Sequence, residues 1–199
     1  MNSSTGGERR HDGFAGHSVV LVEGVSDQLA LEALAARRGR DLTAEGVAVL
    51  PMGGSKNIGR FLDTYGPSGL DVRLAGLCDE AEIDDYARAL ERAGLGFGLT
   101  RDDLERMGFF VCVSDLEAEL IRALGAAAVL LVIEAHGEQS VFRTFQKQPE
   151  WRDRPIEDQL WRFLGVGSGR KIRLGPALVD ALDLERVPRP LDAVLSAVA

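Results

Sequence analysis

Residues 17–27 read HSVVLVEGVSD: a β-branched run stops at Glu23-Gly24, and a segment with helical spacing follows at once. A similar junction recurs at residues 74–79, LAGLCD, and again at residues 111–120, VCVSDLEAEL. Each apolar run thus delivers a carboxylate at its C-terminal end. In an open α/β sheet that edge is where ligands bind. Carboxylates gathered there point to a cation, and a cation points to phosphate chemistry.

Outward from that stretch, strand and helix signals alternate. Residues 18–22 form a first strand, and Ser26 caps a helix to about residue 38, with Leu29, Leu31, Ala33 and Leu34 on its apolar side. Residues 47–50 form a second strand, 51–55 a Gly-rich turn, and 56–65 a helix stopped by Gly66-Pro67. A third strand over 72–78, a helix over 81–93, a short helical piece over 101–107 and a fourth strand over 109–113 follow. This rhythm predicts an α/β fold with a mainly parallel sheet of about four strands, covered by helices on both faces. From Leu116 the pattern is helical, with candidates at 116–124, 126–135, 141–146, 156–164 and 177–184, and no internal repeat. The expected organisation is a flexible polar tail over 1–16, an α/β core over 17–135, and a helical, basic extension over 136–199 packed on that core.

At 199 residues and 45% hydrophobic content the chain has room for one domain and an elaboration. No run approaches the ~18 apolar residues that span a bilayer, and the first sixteen lack the apolar stretch of a secretory signal. A soluble, cytoplasmic protein with no membrane partner is expected. Cys78 and Cys112 both lie inside apolar runs, which reads as buried strand residues in a reducing compartment, not as a disulfide or zinc site. The net charge of −8 argues against a uniformly basic nucleic-acid binder. Its distribution qualifies that: residues 143–173 carry +4 and the remainder −12. An acidic first part suited to divalent cations and a basic second part suited to a phosphate backbone are coherent, although a solvated face produces the same bias.

The candidate chemistry sits at the strand ends. Glu23 follows VVLV directly, Gly24 allows close backbone approach, and Asp27 lies about one helical turn on; a surface Glu and a dipole-favoured Asp are the plain alternative. Gly53-Gly54 opens a loop whose N–H groups suit phosphate, but it matches neither GxxxxGK[ST] nor GxGxxG, and a tight structural turn is as good a reading. Asp79 stands at the very end of the third strand. Were that strand beside the first, Glu23 and Asp79 would repel unless a cation lay between them. Glu80 and Glu82 read more simply as first-turn helix charges. Asp115 and Glu117 complete a third acidic junction, and an oxygen-only donor set without clustered His points to magnesium or manganese. His11, His17 and His136 are scattered.

In order, EG at a first strand end, GG at a second and an Asp-containing acidic motif at a third, the chain resembles the Toprim domain, a Rossmann-like fold. The spacing of Glu23 and Asp27, the later Asp115-x-Glu117 and the basic C-terminal segment are most similar to the OLD (overcoming lysogenization defect) nucleases, over roughly residues 17–198. The resemblance implies a divalent-metal phosphodiesterase acting on nucleic acid, above all DNA. In it Glu23 holds metal or acts as general base, and Asp27, Asp79, Asp115 and Glu117 hold one or two magnesium ions. Lys171, in SGRKIRLGPALVDAL, matches the lysine of the OLD-type C-terminal motif and would meet transition-state charge. Lys147 is the reserve. Gly24, Gly53, Gly54, Lys147 and Arg170 would contact the phosphate backbone.

Two departures stand out. The Toprim DxD pattern wants an acid at Ala81, leaving Asp79 with Glu80 or Glu82 as a displaced substitute, or Asp115 and Glu117 as the second donor. OLD proteins also carry an N-terminal ATPase domain, for which there is no room before His17, so a separate ATPase partner or ATP-independent action is expected. Homo-oligomerisation is left open. Besides an endonuclease, the residues allow a non-catalytic nucleic-acid or partner-binding module with a decayed site, or a small Toprim ribonuclease. A topoisomerase or primase would need further domains.

Overall fold

The computed structural model describes residues 16–167 and 169–199; the N-terminal tail expected from the sequence lies outside them except for Gly16. Four strands, β1 (Ser18–Val22), β2 (Val47–Pro51), β3 (Arg73–Asp79) and β4 (Phe109–Cys112), form one sheet in the order β2-β1-β3-β4. All three pairings are parallel, with Val20 opposite Val49 and Ala75, and Asp79 opposite Cys112. The α/β class and parallel sheet read from the sequence are therefore present.

Among the described residues ten α-helices accompany the sheet: α1 (Val25–Arg37), α2 (Ile58–Tyr65), α3 (Ile83–Arg92), α4 (Arg101–Arg106), α5 (Leu116–Leu124), α6 (Ala126–Ala135), α7 (Gln139–Gln146), α8 (Ile156–Gly165), α9 (Arg170–Asp180) and α10 (Arg189–Ala197). The pleat sends alternate strand residues to opposite faces, and the core divides accordingly. Val20, Val22, Ala75, Leu77 and Cys112 pack under α1, α5, α6 and α8 to α10, in a cluster that runs on to Val198 without a break at residue 135. Val19, Leu21, Cys78, Phe109 and Val111 pack under α2 to α4. Both thiols are buried and free, one on each face, and burial raises both above the ordinary thiol range. Among the described residues no helix is long and apolar enough to cross a membrane.

Three boundaries differ from the sequence reading. The chain enters α1 at Val25, with Gly24 as its extended N-cap residue and the Asp27 carboxylate accepting from the Gly24 N–H at 2.9 Å, so Asp27 rather than Ser26 holds the start. A 3-10 turn over Glu80–Glu82 precedes α3. The last long helix begins at Arg170, seven residues earlier than expected, and runs through Gly175-Pro176, a pair that reads as a break in sequence. Packing against α1 and α6 on the buried face outweighs the weak local signal there. Lys171 consequently projects from a helix. The final helix, α10, was not anticipated; Pro190 sits in its first turn, where a missing N–H costs nothing.

Candidate metal centre

Strand order fixes where chemistry belongs. β1 connects through α1 to β2 on one side, while β3 connects through α3 and α4 to β4 on the other. The connections diverge between β1 and β3, and the crevice at such a switch point is the ligand site of a doubly wound sheet. Glu23 directly follows β1 and Asp79 ends β3, so both stand at that crevice.

They are joined there by Glu82. One oxygen from each of Glu23, Asp79 and Glu82 lies within 4.8 Å of the others. The turn explains the third member: in a 3-10 turn residues three apart eclipse one another, so Glu82 returns to the side on which Asp79 stands. The missing acid at Ala81 is thus replaced one residue later. Glu82 Oε2 is buried without a hydrogen-bond partner. Glu80 points away, accepting from the Ser114 N–H at 3.3 Å and lying 3.9 Å from Arg101.

A cavity of about 320 Å³ opens beside the triad, lined by the carboxylates of Glu23, Asp27, Asp79 and Glu117, by Gly24, Gly53 and Gly54, and by Lys171. Among the described residues Lys171 is the one cation that lines it. Its Nζ donates to Glu117 Oε2 at 2.7 Å and lies 3.8 Å from Asp115. Glu117 is only 3% exposed, whereas the Lys171 side chain is 38% exposed, so the pair runs from the buried floor toward solvent. Asp115 stands behind the wall: it caps α5 by accepting from the Ala118 N–H at 2.8 Å and accepts from Trp161 Nε1 at 2.8 Å. A larger cavity, about 610 Å³, lies along the edge strand β2, but it gathers no comparable cluster of acids.

The acids carry the strain expected of like charges with too little cation. Burial, then Glu23, Asp115, Asp27 and Glu82, push the Asp79 carboxyl up to about 8. Burial, with Glu117 and Glu23 adding to it and the Gly24 N–H opposing, pushes Asp27 up to about 7. Burial likewise raises Glu82 against a hydrogen bond from Ser55, and raises Glu117 against Lys171. For Lys171 burial favours the neutral amine, yet Glu117 and Asp115 outweigh it and hold its pKa above the ordinary lysine value. Carboxylates at this spacing, one with an orphaned buried oxygen, fit a hard divalent cation.

Several expected phosphate contacts do not face this cavity in the way the sequence suggested. The Gly53 and Gly54 N–H groups donate to the Glu23 carbonyl at 2.9 and 3.1 Å, and the Gly24 N–H donates to Asp27. The GG loop therefore clamps the end of β1, with φ of 72° and 115° that favour glycine; its N–H groups are not left for phosphate. Arg170 is also committed elsewhere. Its guanidinium donates to buried Glu138 at 2.6 Å and to the Phe163 and Val166 carbonyls, and lies 3.9 Å over the Phe163 ring. Lys147 is exposed at the end of α7 and does not line the cavity. His17 and His136 are not among the cavity-lining residues either.

Comparison with known proteins agrees with this fold. The family model described as "Overcoming lysogenization defect protein-like, TOPRIM domain" matches residues 14–80. The C-terminal region of the Burkholderia pseudomallei OLD protein superposes with a TM-score of 0.70 at 22% identity, covering 93% of this chain and 98% of that one. The C-terminal region of the Xanthomonas campestris pv. campestris OLD protein gives 0.72 at 24% identity, covering 93% of each chain. No curated protein matches the sequence.

Proposed function

We propose that this chain, which carries an OLD-like Toprim domain and the fold of OLD C-terminal regions, is a divalent-metal-dependent nuclease that hydrolyses phosphodiester bonds of DNA. The observation that carries the reading is the Glu23–Asp79–Glu82 triad at the switch point, with Glu82 Oε2 buried and unpartnered. Among the described residues nothing hydrogen-bonds to that oxygen.

Glu23, Asp79 and Glu82 would hold one magnesium or manganese ion, and Asp27 and Glu117, across the same cavity, would serve a second. When bound, such a cation supplies Lewis-acid polarisation of a phosphoryl oxygen. Glu23 serves as a ligand or takes the proton of the attacking water. Lys171, steered by Glu117, presents an ammonium to the charge that grows on the phosphate. Asp115 acts at one remove, anchoring α5 and the Trp161 ring. Residues 136–199 belong to the working unit as the extension that brings Lys171 to the crevice. Any ATPase would act as a partner to this unit.

Incubation with plasmid DNA and with structured RNA, with and without Mg²⁺ or Mn²⁺, tests the reading. Cation-dependent cutting of DNA that disappears in E23Q, D79N and E82Q supports it; preferential cutting of RNA would move the substrate. Cutting that survives all three substitutions, or absence of both cutting and calorimetric cation binding, refutes it.

A further inference from the structure

Half of the basic residues that the sequence marks for substrate binding are engaged by acids of the chain itself. Of the eight in residues 143–173, Arg152, Arg170, Lys171 and Arg173 form ion pairs. Three other cations lie together on α3 and on the elements that follow the cavity-lining Gly53-Gly54 loop. Lys56 follows the cavity-lining Gly54 by two residues, and Arg60 follows one helical turn later on α2. Gly59, on the same face, has no side chain, and Arg92 of α3 lies over it: Arg92 Nη2 is 3.9 Å from where a Cβ on Gly59 would stand. All three side chains are exposed. Among the described residues none has a carboxylate at ion-pair distance, whereas Arg88 and Arg106 nearby are each paired to an acid three residues away. Arg60 instead lies 5.6 Å over the Phe61 ring, a contact that orients it without neutralising it.

We propose that Lys56, Arg60 and Arg92 form the track along which the DNA backbone flanking the scissile phosphate leaves the cavity; this rests on the nuclease reading. A chain of net charge −8 with an acidic cavity repels a polyanion overall. Approach therefore needs an uncompensated positive surface near the site, and the 3-10 turn Ser55–Asn57 with α2 and the end of α3 provides it. Lys56 lies in the 3-10 turn Ser55–Asn57 that leads into α2, and Arg60 follows four residues on, in the first turn of that helix. The exposed Asp63, one turn beyond Arg60, ends the track and limits it to a few phosphates. The contacts are to phosphate, so they set affinity and register but not sequence preference.

The test is binding of a fluorescein-labelled DNA duplex by anisotropy across a NaCl series, in Ca²⁺ to hold the substrate uncut, with cutting in Mg²⁺ measured in parallel. Three phosphate contacts contribute about 2.7 to the slope of log affinity against log salt. K56A/R60A/R92A should reduce the slope by roughly 2 to 3 and weaken binding at least tenfold at low salt, with K56R/R60K restoring most of it. Gly59→Glu, which fits sterically and sets a carboxylate among the three cations, should weaken binding without loss of thermal stability. The comparison variant is R143A/K147A/R154A. Equal loss in both triple variants would make the effect one of net charge and overturn the track, as would loss only in the comparison variant. Wild-type protein that cuts DNA with an affinity indifferent to the α2 substitutions overturns the track alone. Wild-type protein that neither binds nor cuts DNA overturns the nuclease reading with it.

Discussion

Removing one carboxylate from the crowded edge should stabilise the cation-free protein and, at the same time, remove its response to divalent cations. Asp79→Asn keeps the shape of the side chain and deletes its charge. The Asp79 carboxyl is raised from 3.8 to about 8, first by burial and then by Glu23, Asp115, Asp27 and Glu82. A folded-state pKa above the unfolded one means that the folded state binds the proton more tightly. Its contribution to stability is therefore complete below about pH 4 and lost as pH rises through about 8. Each unit corresponds to about 1.4 kcal/mol, so four units set a ceiling of about 6 kcal/mol. Asp79 is partly solvated and shares its repulsion with other acids, so about 2 to 3 kcal/mol is the expected gain for D79N near pH 9, or about 4 to 12 °C in Tm for a chain of this size. Thermal unfolding of both proteins in chelator, from about pH 5 to pH 9, should show the gap opening as pH rises. Added Mg²⁺ or Mn²⁺ should then raise the wild-type Tm by mass action and leave D79N nearly unmoved. A gap that narrows with rising pH, a D79N protein less stable than wild type at the alkaline end, or equal response of both to cation would refute the reasoning.

Glu82→Gln should weaken calorimetric cation binding by about tenfold or more, whereas Glu80→Gln, whose side chain faces Ser114 and Arg101, should leave it unchanged. Lys171→Ala strands Glu117 at 3% exposure; with Lys171 itself 38% exposed, a loss of about 1 to 3 kcal/mol is expected in denaturant unfolding, and Glu117→Gln in the same chain should recover most of it. The same K171A protein, assayed under cutting conditions, should lose more turnover than cation affinity. Gly76→Ala places a Cβ 2.7 Å from the Leu21 carbonyl oxygen and 2.9 Å from the Phe109 ring, between β1 and β4; a loss of about 1 to 3 kcal/mol is expected in the same assay, and a neutral substitution would show that the sheet is looser than its register implies.

The fold was legible because its signals were local and repeated. VVLV, VAVL, LAGLC and FFVC are short apolar runs separated by helices with Gly and Pro stops, and they became the four strands. What stayed hidden depended on tertiary packing. Nothing local announces that α9 runs through Gly175-Pro176, yet that helix carries Lys171 across to Glu117, fifty-four positions away in sequence. The charge balance was legible only as a sum. The +4 of residues 143–173 suggested a surface for phosphate, whereas pairing decides availability, and Arg170 and Arg173 converge on Glu138. Lys56 and Arg60 drew no notice because two positive charges in an ordinary helix look like solvation; their significance comes from the cavity two residues before them and from Arg92 across Gly59.

The strand-end acids had one plain rival explanation, helix capping, and the structure separates them by it. Asp115 is a true cap, accepting from the Ala118 N–H, and Asp27 takes the Gly24 N–H at the start of α1. Asp79 precedes its turn with no side-chain capping bond, and Glu82 makes none either. These two acids, with Glu23, therefore sit within 4.8 Å of one another without serving as helix caps; Ser55 bonds Glu82, but Glu82 Oε2 is buried with no partner among the described residues. Burial and then the neighbouring Glu23 charge raise the Asp79 and Glu82 carboxyls, so the ionised cluster destabilises the fold in which it meets. A divalent cation would reverse the sign of that cost with the oxygen donors already gathered. The substitution of Glu82 for an acid at Ala81 then ceases to be a defect: the 3-10 turn moves the donor by one position in sequence and returns it to the same side in space.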